Sequence, residues 1–434
     1  MSSQEIRNNK RKIRHLVRMA IVFLTLLLIA LIAYQIPWVH SRLEWRLDVL
    51  TVYLRTLVKP VGELPTPIDN TKIPALALTR QELSSTATPP RSETQQITTL
   101  SQQESAQEDV AATMLLPPGK VILPAPEFEG EDWNNCGPAT LAMYLRFYGW
   151  IGDQYTIAQR VKPKSEDRNV NVEELTAFVN KNTSGMQSIT RVNGNTTILR
   201  NLISAGIPVM VEESLMIKQS FWLNDDRWAG HYLLITGYDD DGKTYITQDS
   251  YIGPDQKVNY EDLEQHWHAF NGTYVIIFPS NKSSVVKSIL ADDWEEIINR
   301  RKALEYNSNL TRMQGSDPFT WFNLGTNLLY FERYKEAAQA FDQARQLGLP
   351  QRMLRYQFGP FEAYYYANRV SDLLALTKYA LGVTPNSEEA LLWQGWALFQ
   401  SGDRNASVTS FNKALDAHPG FPEALDAINY VQTH

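Results

Sequence analysis

Cysteine is nearly absent: the 434 residues hold one, Cys136. A single thiol excludes an intramolecular disulfide framework and any zinc site built from several thiolates. It leaves room for a nucleophile that no second cysteine of the chain can capture. Charge of one sign is scarce too. The net charge is -7, and no basic stripe interleaved with aromatics occurs beyond the extreme N-terminus, which excludes a dedicated nucleic-acid binder. Long apolar runs are limited to one. Against these absences, a hydrophobic content of 43% and a charged content of 21% are an ordinary globular balance, enough for two or three folded units at about 150 residues each.

The one apolar run is Met19 to Ile36, MAIVFLTLLLIALIAYQI, close to the roughly 20 residues that a helix needs to cross a bilayer. Lys10, Arg11, Lys12, Arg14 and Arg18 precede it, so a basic tail over 1–18 is expected on the cytoplasmic side and everything after a transmembrane helix at 19–37 outside. The exit, Tyr34-Gln35-Ile36-Pro37-Trp38, is poor chemistry for a signal-peptide cleavage site. A retained anchor in the cell membrane is the expectation.

Leu43, Leu47, Leu50, Leu54 and Leu57 recur at helical spacing, predicting an amphipathic stalk helix over 38–59. Residues 60–118 are rich in Ser, Thr, Pro and Gln without sustained periodicity, the composition of a flexible linker. Residues 119–283 read as a globular α+β domain. Helical patterns cover 136–148, 172–179 and 197–205, and strands are expected over 208–212, 231–238, 244–248 and 273–278. Asp241-Gly242 between two of these strands marks a hairpin turn, with Gly taking the positive backbone angle. A helical connector over 284–316 leads to 317–434. There Gly325 and Gly395 sit in similar surroundings, followed by Phe341 with Ala344 and Phe411 with Ala414. Pro385 to Pro419 spans 34 residues (419 − 385). This register resembles the tetratricopeptide repeat, in three copies with a capping helix. The middle copy is degenerate, with Phe361 where the signature glycine belongs.

The residues that carry chemistry centre on Asn134-Asn135-Cys136-Gly137-Pro138-Ala139. Pro138 suits the first turn of a helix, so Cys136 is expected at a helix N-terminus. Free N–H groups there favour a thiolate and can donate to an oxyanion. A thiolate nucleophile needs a base, normally His. His15 and His40 flank the apolar run, and His418 and His434 lie in the repeats. That leaves His231, His266 and His268. His231 opens a strand at a loop edge, and Asp249 ends the partner strand, where it can orient the imidazole.

The runs CGPATLAM, HYLLITGYD and DSYIGP resemble the bacteriocin-processing, double-glycine leader peptidases within the papain-like fold. The resemblance covers about residues 124–278. It implies an α+β papain-like cysteine peptidase domain with Cys136 as nucleophile, His231 as base and Asp249 orienting it. Together with the repeats and anchor, it implies an extracytoplasmic thiol peptidase that needs no cofactor and no metal. The repeat domain would bind a peptide or protein partner. The family usually supplies a glutamine about six residues before the cysteine as oxyanion donor. Here that position is Gly130, with Glu131 beside it, and Asn134 or Asn135 are the candidate substitutes. A catalytically inactive, peptide-binding or scaffolding module is the alternative, and amide crosslinking of the transglutaminase type a third reading. His266 and His268 with Glu264 are read as structural, because alternate residues do not share a helix face. The loop Glu213 to Gly230, with Phe221, Trp222 and Trp228, is expected to line a cleft.

Overall fold

A computed structural model describes residues 3–34, 36–58, 60–68, 117–164 and 169–433. The chain divides into two compact units: Met1–Val61 with Lys218–Arg227, and Gly62–Ile217 with Trp228–His434. The first holds α1 (Ser3–Tyr34) and α2 (Pro37–Val58). Among the described residues no helix is long and apolar enough to cross a membrane. The transmembrane helix expected over 19–37 is therefore not found as one span. The run is divided, α1 ending at Tyr34 and Pro37 opening α2, and the side chains of Leu27, Ala30 and Leu31 lie outside the described residues. In α2, Leu47, Leu50, Leu54 and Leu57 are exposed.

The second unit is built on seven strands: β1 (Lys120–Ile122), β2 (Met186–Arg191), β3 (Val209–Met216), β4 (Trp228–Asp239), β5 (Thr244–Asp249), β6 (Gly253–Asn259) and β7 (Tyr274–Pro279). They pair antiparallel in the order β2-β7-β3-β4-β5-β6, with β1 joining β4. Period-two alternation sorts the central strands between two cores. Met210, Leu234, Val275 and Ile277 face α3 (Cys136–Phe147), α4 (Gln154–Val161) and α5 (Val172–Asn182). Val209, Val211, Leu233, Ile235, Ile276 and Phe278 face α6 (Thr196–Ser204), α7 (Tyr260–His268) and α8 (Ser283–Leu290). Every residue of α3 from Gly137 to Leu145 is buried, which makes it a central helix rather than a surface amphipath.

The four expected strands are present with shifted ends, whereas β1, β2 and β6 had no sequence signal. β2 and β6 are the sheet's outer strands, and MQSITR and GPDQKVN lack the apolar alternation that marks a half-buried strand. The hairpin falls where Asp241-Gly242 predicts, but the left-handed residue is Lys243 (φ 47°), not Gly242. At Gly237 a side chain is excluded: a Cβ would come within 2.8 Å of the Val121 carbonyl on β1.

Helix α9 (Glu296–Met313) leads into the helical region of the same unit: α10 (Pro318–Tyr330), α11 (Tyr334–Leu347), α12 (Met353–Tyr356), α13 (Gly359–Tyr366), α14 (Val370–Val383), α15 (Glu388–Gln400), α16 (Arg404–Ala417) and α17 (Pro422–Thr433). α10 with α11, α13 with α14, and α15 with α16 form successive helix pairs. Gly325 and Gly395 let Phe341 and Phe411 of the facing helix come into contact with the backbone. In the middle pair the bulk is exchanged: Phe361 takes the glycine's place, and sixteen residues on (377 − 361) stands the smaller Thr377. Both are fully buried.

Of the expected linker, 69–116 lies outside the described residues. Its first part differs from the expectation of a free spacer. Leu64 and Pro67 are buried, and Leu64 joins the core formed by α10, α11, α13 and α14.

Candidate active site

Three elements bring the chemistry together. Cys136 is the first residue of α3, half-buried, with Asn135 as its N-cap. Gly137 lets the helix start press on the sheet; a Cβ there would sit 3.2 Å from the Tyr232 ring and 3.3 Å from Leu175. His231 lies near the start of β4 and is 2% exposed. Asp249 ends β5, and its Oδ1 lies 3.0 Å from His231 Nε2. The same oxygen accepts the backbone N–H groups of Tyr251 (2.8 Å) and Ile252 (3.0 Å), which fixes the carboxylate and through it the ring.

Burial by itself would lower the His231 pKa. Hydrogen bonds to Asp249 and Cys136, and the charge of Glu131, outweigh it and hold the imidazole well above its ordinary value. Burial would likewise raise Asp249, but the bond and charge of His231 and the two backbone donors keep it low. The sequence-predicted Cys136, His231 and Asp249 are thus brought together.

A fourth group joins them. Glu131 stands beside the pair, its Oε2 3.8 Å from His231 Nδ1 and 2.7 Å from the Ser250 hydroxyl that donates to it. Ligand atoms of Glu131, Cys136 and His231 all lie within 4.8 Å of one another, a thiolate–imidazole–carboxylate set of the kind that can hold a divalent ion. Burial pushes the Glu131 carboxyl up, against the charge of His231 and the Ser250 bond. Gly130 stays outside, its carbonyl accepting from Gln154 Nε2 at 2.9 Å.

The two asparagines have different standing. Asn135 is buried and spends its amide on Gln154 Oε1 at 3.1 Å. Asn134 adopts φ 56°, its carbonyl accepts from Lys162 Nζ (2.9 Å), and its Oδ1 accepts from Arg355 Nη2 (2.7 Å). Its Nδ2 is buried and has no hydrogen-bond partner. A buried donor left unpaired costs about 1–3 kcal/mol.

Several contributors carried no usable sequence signal. Gln154 ties the loop before the nucleophile, accepting from the Asp132 N–H at 2.7 Å while its own N–H donates to Glu129 Oε1 at 2.9 Å. Arg355 reaches Asn134 from α12, 221 positions away. Glu213, the cross-strand partner of His231, is pushed up to about 7, first by burial, with His231 lowering and Asp249 raising it. Only the registry of β3 on β4 reveals it.

His266 and His268 turn to separate partners. Ser214 Oγ lies 3.0 Å from His266 Nδ1, Asp317 Oδ2 lies 2.9 Å from His268 Nε2, and Glu264 accepts from Thr196. Trp228 does not line a cleft. It stacks on Phe270 and Phe319, with ring centroids 5.7 and 6.2 Å away, and belongs to the core shared with the helical region. Trp222 is buried, and the Phe221 N–H bonds Asp225 within its own segment.

Residues 122–275 match the model of the Peptidase_C39 like family. No curated protein matches the chain. Among solved structures, a C39-like peptidase from Bacillus anthracis is similar at 18% identity and a TM-score of 0.30, over 37% of this chain and 97% of its own. The peptidase domain of Streptococcus ComA, a bi-functional ABC transporter involved in a quorum-sensing pathway, is similar at 16% identity and a TM-score of 0.27, over 35% and 96%. A double-glycine motif protease from an AMS/PCAT transporter, solved with its leader peptide, is similar at 17% and 0.27, over 38% and 99%. The stretch that holds the Cys136 cluster is thus similar to C39-like peptidases.

Proposed function

We propose that this stretch is a thiol peptidase that cleaves peptide bonds through Cys136, His231 and Asp249. The observation that carries the reading is the buried His231, bonded to Asp249, with its ring nitrogen within 4.8 Å of the Cys136 sulfur at a helix N-terminus. The Cys136 thiolate attacks the carbonyl carbon, and the oxyanion takes hydrogen bonds from the helix N-terminus and from Asn134 Nδ2. His231 then hands its proton to the departing amine as the C–N bond breaks. Water, deprotonated by His231, releases the acyl group from sulfur. Asp249 keeps the ring in one tautomer throughout.

Glu131 favours a second reading, in which the module binds peptides without turning them over, because a carboxylate next to the nucleophile opposes a second negative charge. Alkylation of Cys136 near neutral pH separates the two. The peptidase reading expects fast alkylation that falls with His231→Ala and burst release from an activated ester substrate. A slow thiol indifferent to His231→Ala would overturn it. Amine incorporation without net hydrolysis would point instead to amide crosslinking.

The anchor belongs to the same proposal. Residues 19–37 hold the chain in the cell membrane, with the N-terminus cytoplasmic and the later domains outside. The support is the run of exposed apolar side chains Met19, Ile21, Val22, Phe23, Leu24, Leu26, Leu28, Ile29 and Ile32 on α1, which water does not tolerate as a patch. Extraction of the chain from membranes by alkaline carbonate would overturn it.

A further inference from the structure

Residues 62–68, Gly-Glu-Leu-Pro-Thr-Pro-Ile, run extended over the first and middle helix pairs, and the contacts read their backbone. Arg345 Nε donates to the Pro65 carbonyl at 2.9 Å and Nη2 donates to the same oxygen. Asp372 Oδ1 accepts the Ile68 N–H at 3.0 Å, and the Tyr379 hydroxyl donates to the Gly62 carbonyl at 3.2 Å. Leu64 sinks into the apolar core between the helices.

The two clamping groups belong to a buried charge network. Arg345 Nη1 bonds the Tyr364 hydroxyl (2.8 Å) and Asp372 Oδ1 (3.3 Å), Tyr364 donates to Asp342 (2.7 Å), and Arg369 bridges Asp342 and Asp372. The Arg345 side chain is 0% exposed and that of Asp372 is 3%. Buried ion pairs of this kind add little to stability over apolar packing. What this one does is present a guanidinium edge to one carbonyl and a carboxylate to an N–H three residues on. The segment supplies the acceptor for two donors of that guanidinium.

We infer that the helical region reads short, extended, proline-containing peptide segments, and that residues 62–68 are its resident occupant, which a partner presenting the same chemistry replaces. The inference rests on the protein-binding reading of the repeats and gives it a substrate class. The pattern follows from the contacts. An apolar side chain is needed at the position of Leu64. The next residue supplies only a carbonyl, so proline fits and keeps the chain extended at low entropic cost. The last residue must keep its N–H, which excludes proline at the position of Ile68.

The test uses the full chain in detergent and a fluorescein-labelled peptide of residues 60–70, read by anisotropy. A variant with residues 62–68 replaced by a glycine–serine stretch is expected to bind the peptide saturably. The unaltered chain, already occupied, binds it at least about tenfold more weakly, and N-methylation of the peptide at the position of Ile68 weakens binding to the variant at least about tenfold. Equal binding by both chains overturns self-occupancy. Equal binding of the methylated peptide, or no binding by a variant that still melts cooperatively, overturns the recognition. If the replaced chain loses its cooperative transition, Ile68→Pro, which removes the N–H that Asp372 accepts, stands in for it. Turnover is not read, so loss of peptidase activity leaves this test unaffected.

Discussion

Replacing Glu131 by Gln separates two electrostatic effects. In the resting site a proton sits on either Cys136 or His231, and Glu131 acts on both charges. At an effective dielectric of about 20, a carboxylate 3.8 Å from the imidazolium nitrogen attracts it by about 4 kcal/mol. The same carboxylate, up to 4.8 Å from the sulfur, repels a thiolate by about 3 kcal/mol. The two nearly cancel for the thiolate–imidazolium pair, so Glu131→Gln should change the alkylation rate of Cys136 by less than about tenfold. Acyl transfer is different. Attack on a carbonyl places a further negative charge at the site, which the carboxylate opposes and an amide can bind. Burst-phase acylation by an activated ester at neutral pH is expected to rise, by as much as the ~10²–10³ that one oxyanion donor supplies. The unaltered protein is expected to gain activity as pH falls, because burial raises the Glu131 carboxyl toward its neutral form. Stopped-flow ester acylation and iodoacetamide alkylation, run on both proteins, decide the matter. An unchanged or lower acylation rate in a folded Glu131→Gln protein would refute the reasoning.

Arg355→Met removes the 2.7 Å bond to Asn134 Oδ1, and kcat is expected to fall by between about tenfold and 10²-fold with KM little changed; Arg355→Lys should restore part of it. Thermal stability should fall as pH rises from about 5 to 8, because Glu131, Glu213 and His231 all hold their protons more tightly folded than unfolded. For Glu213, raised from 4.5 to about 7, the contribution is about 3 kcal/mol, and Glu213→Gln should flatten the melting curve's pH dependence by that order. Asp249 acts oppositely, its stabilisation being lost below its ordinary 3.8. Gly230→Ala would put a Cβ 2.8 Å from Phe270 and 2.9 Å from Tyr356, an overpacking expected to cost about 1–3 kcal/mol, read as a lower denaturant midpoint.

The α3 start and the His231–Asp249 pairing were legible because each leaves a local mark. Pro138 two residues after the cysteine fixes the helix start, and a twelve-residue strand facing its partner across a short turn fixes which ends adjoin. Glu131 was named beside Gly130, but its place against His231 was not read. Counting back from the cysteine points at Gly130, but the loop 129–135 is shaped by Gln154, which bonds Asp132, Asn135 and Gly130, and such a loop has no period from which to count. The edge strands went unseen because their apolar alternation is absent. Residues 62–68 read as spacer because composition measures the apolar surface a segment can bury by itself. It does not register a carbonyl and an N–H that meet a charged clamp 280 and 304 positions away.

The helical region also takes part in shaping the active site. Residues of one short stretch around α12 reach both arms of the Cys136–His231 pair: Arg355 bonds Asn134, two residues before Cys136, and Arg352 donates to the Trp228 carbonyl at 3.1 Å, three residues before His231. Tyr356 packs against Gly230, next to that histidine. Asn271 also exchanges hydrogen bonds with Asn327 of α10 and accepts one from Asn307 of α9, all three buried. Residues 119–283 severed from the helices would expose Trp228 and Phe270, which pack in the core with them. Apart from Lys218–Arg227, the peptidase-like stretch and the repeats lie in one compact unit. The Arg355–Asn134 bond is the shortest link between α12 and the turn that precedes Cys136, which is why its removal is expected to be felt at the thiol.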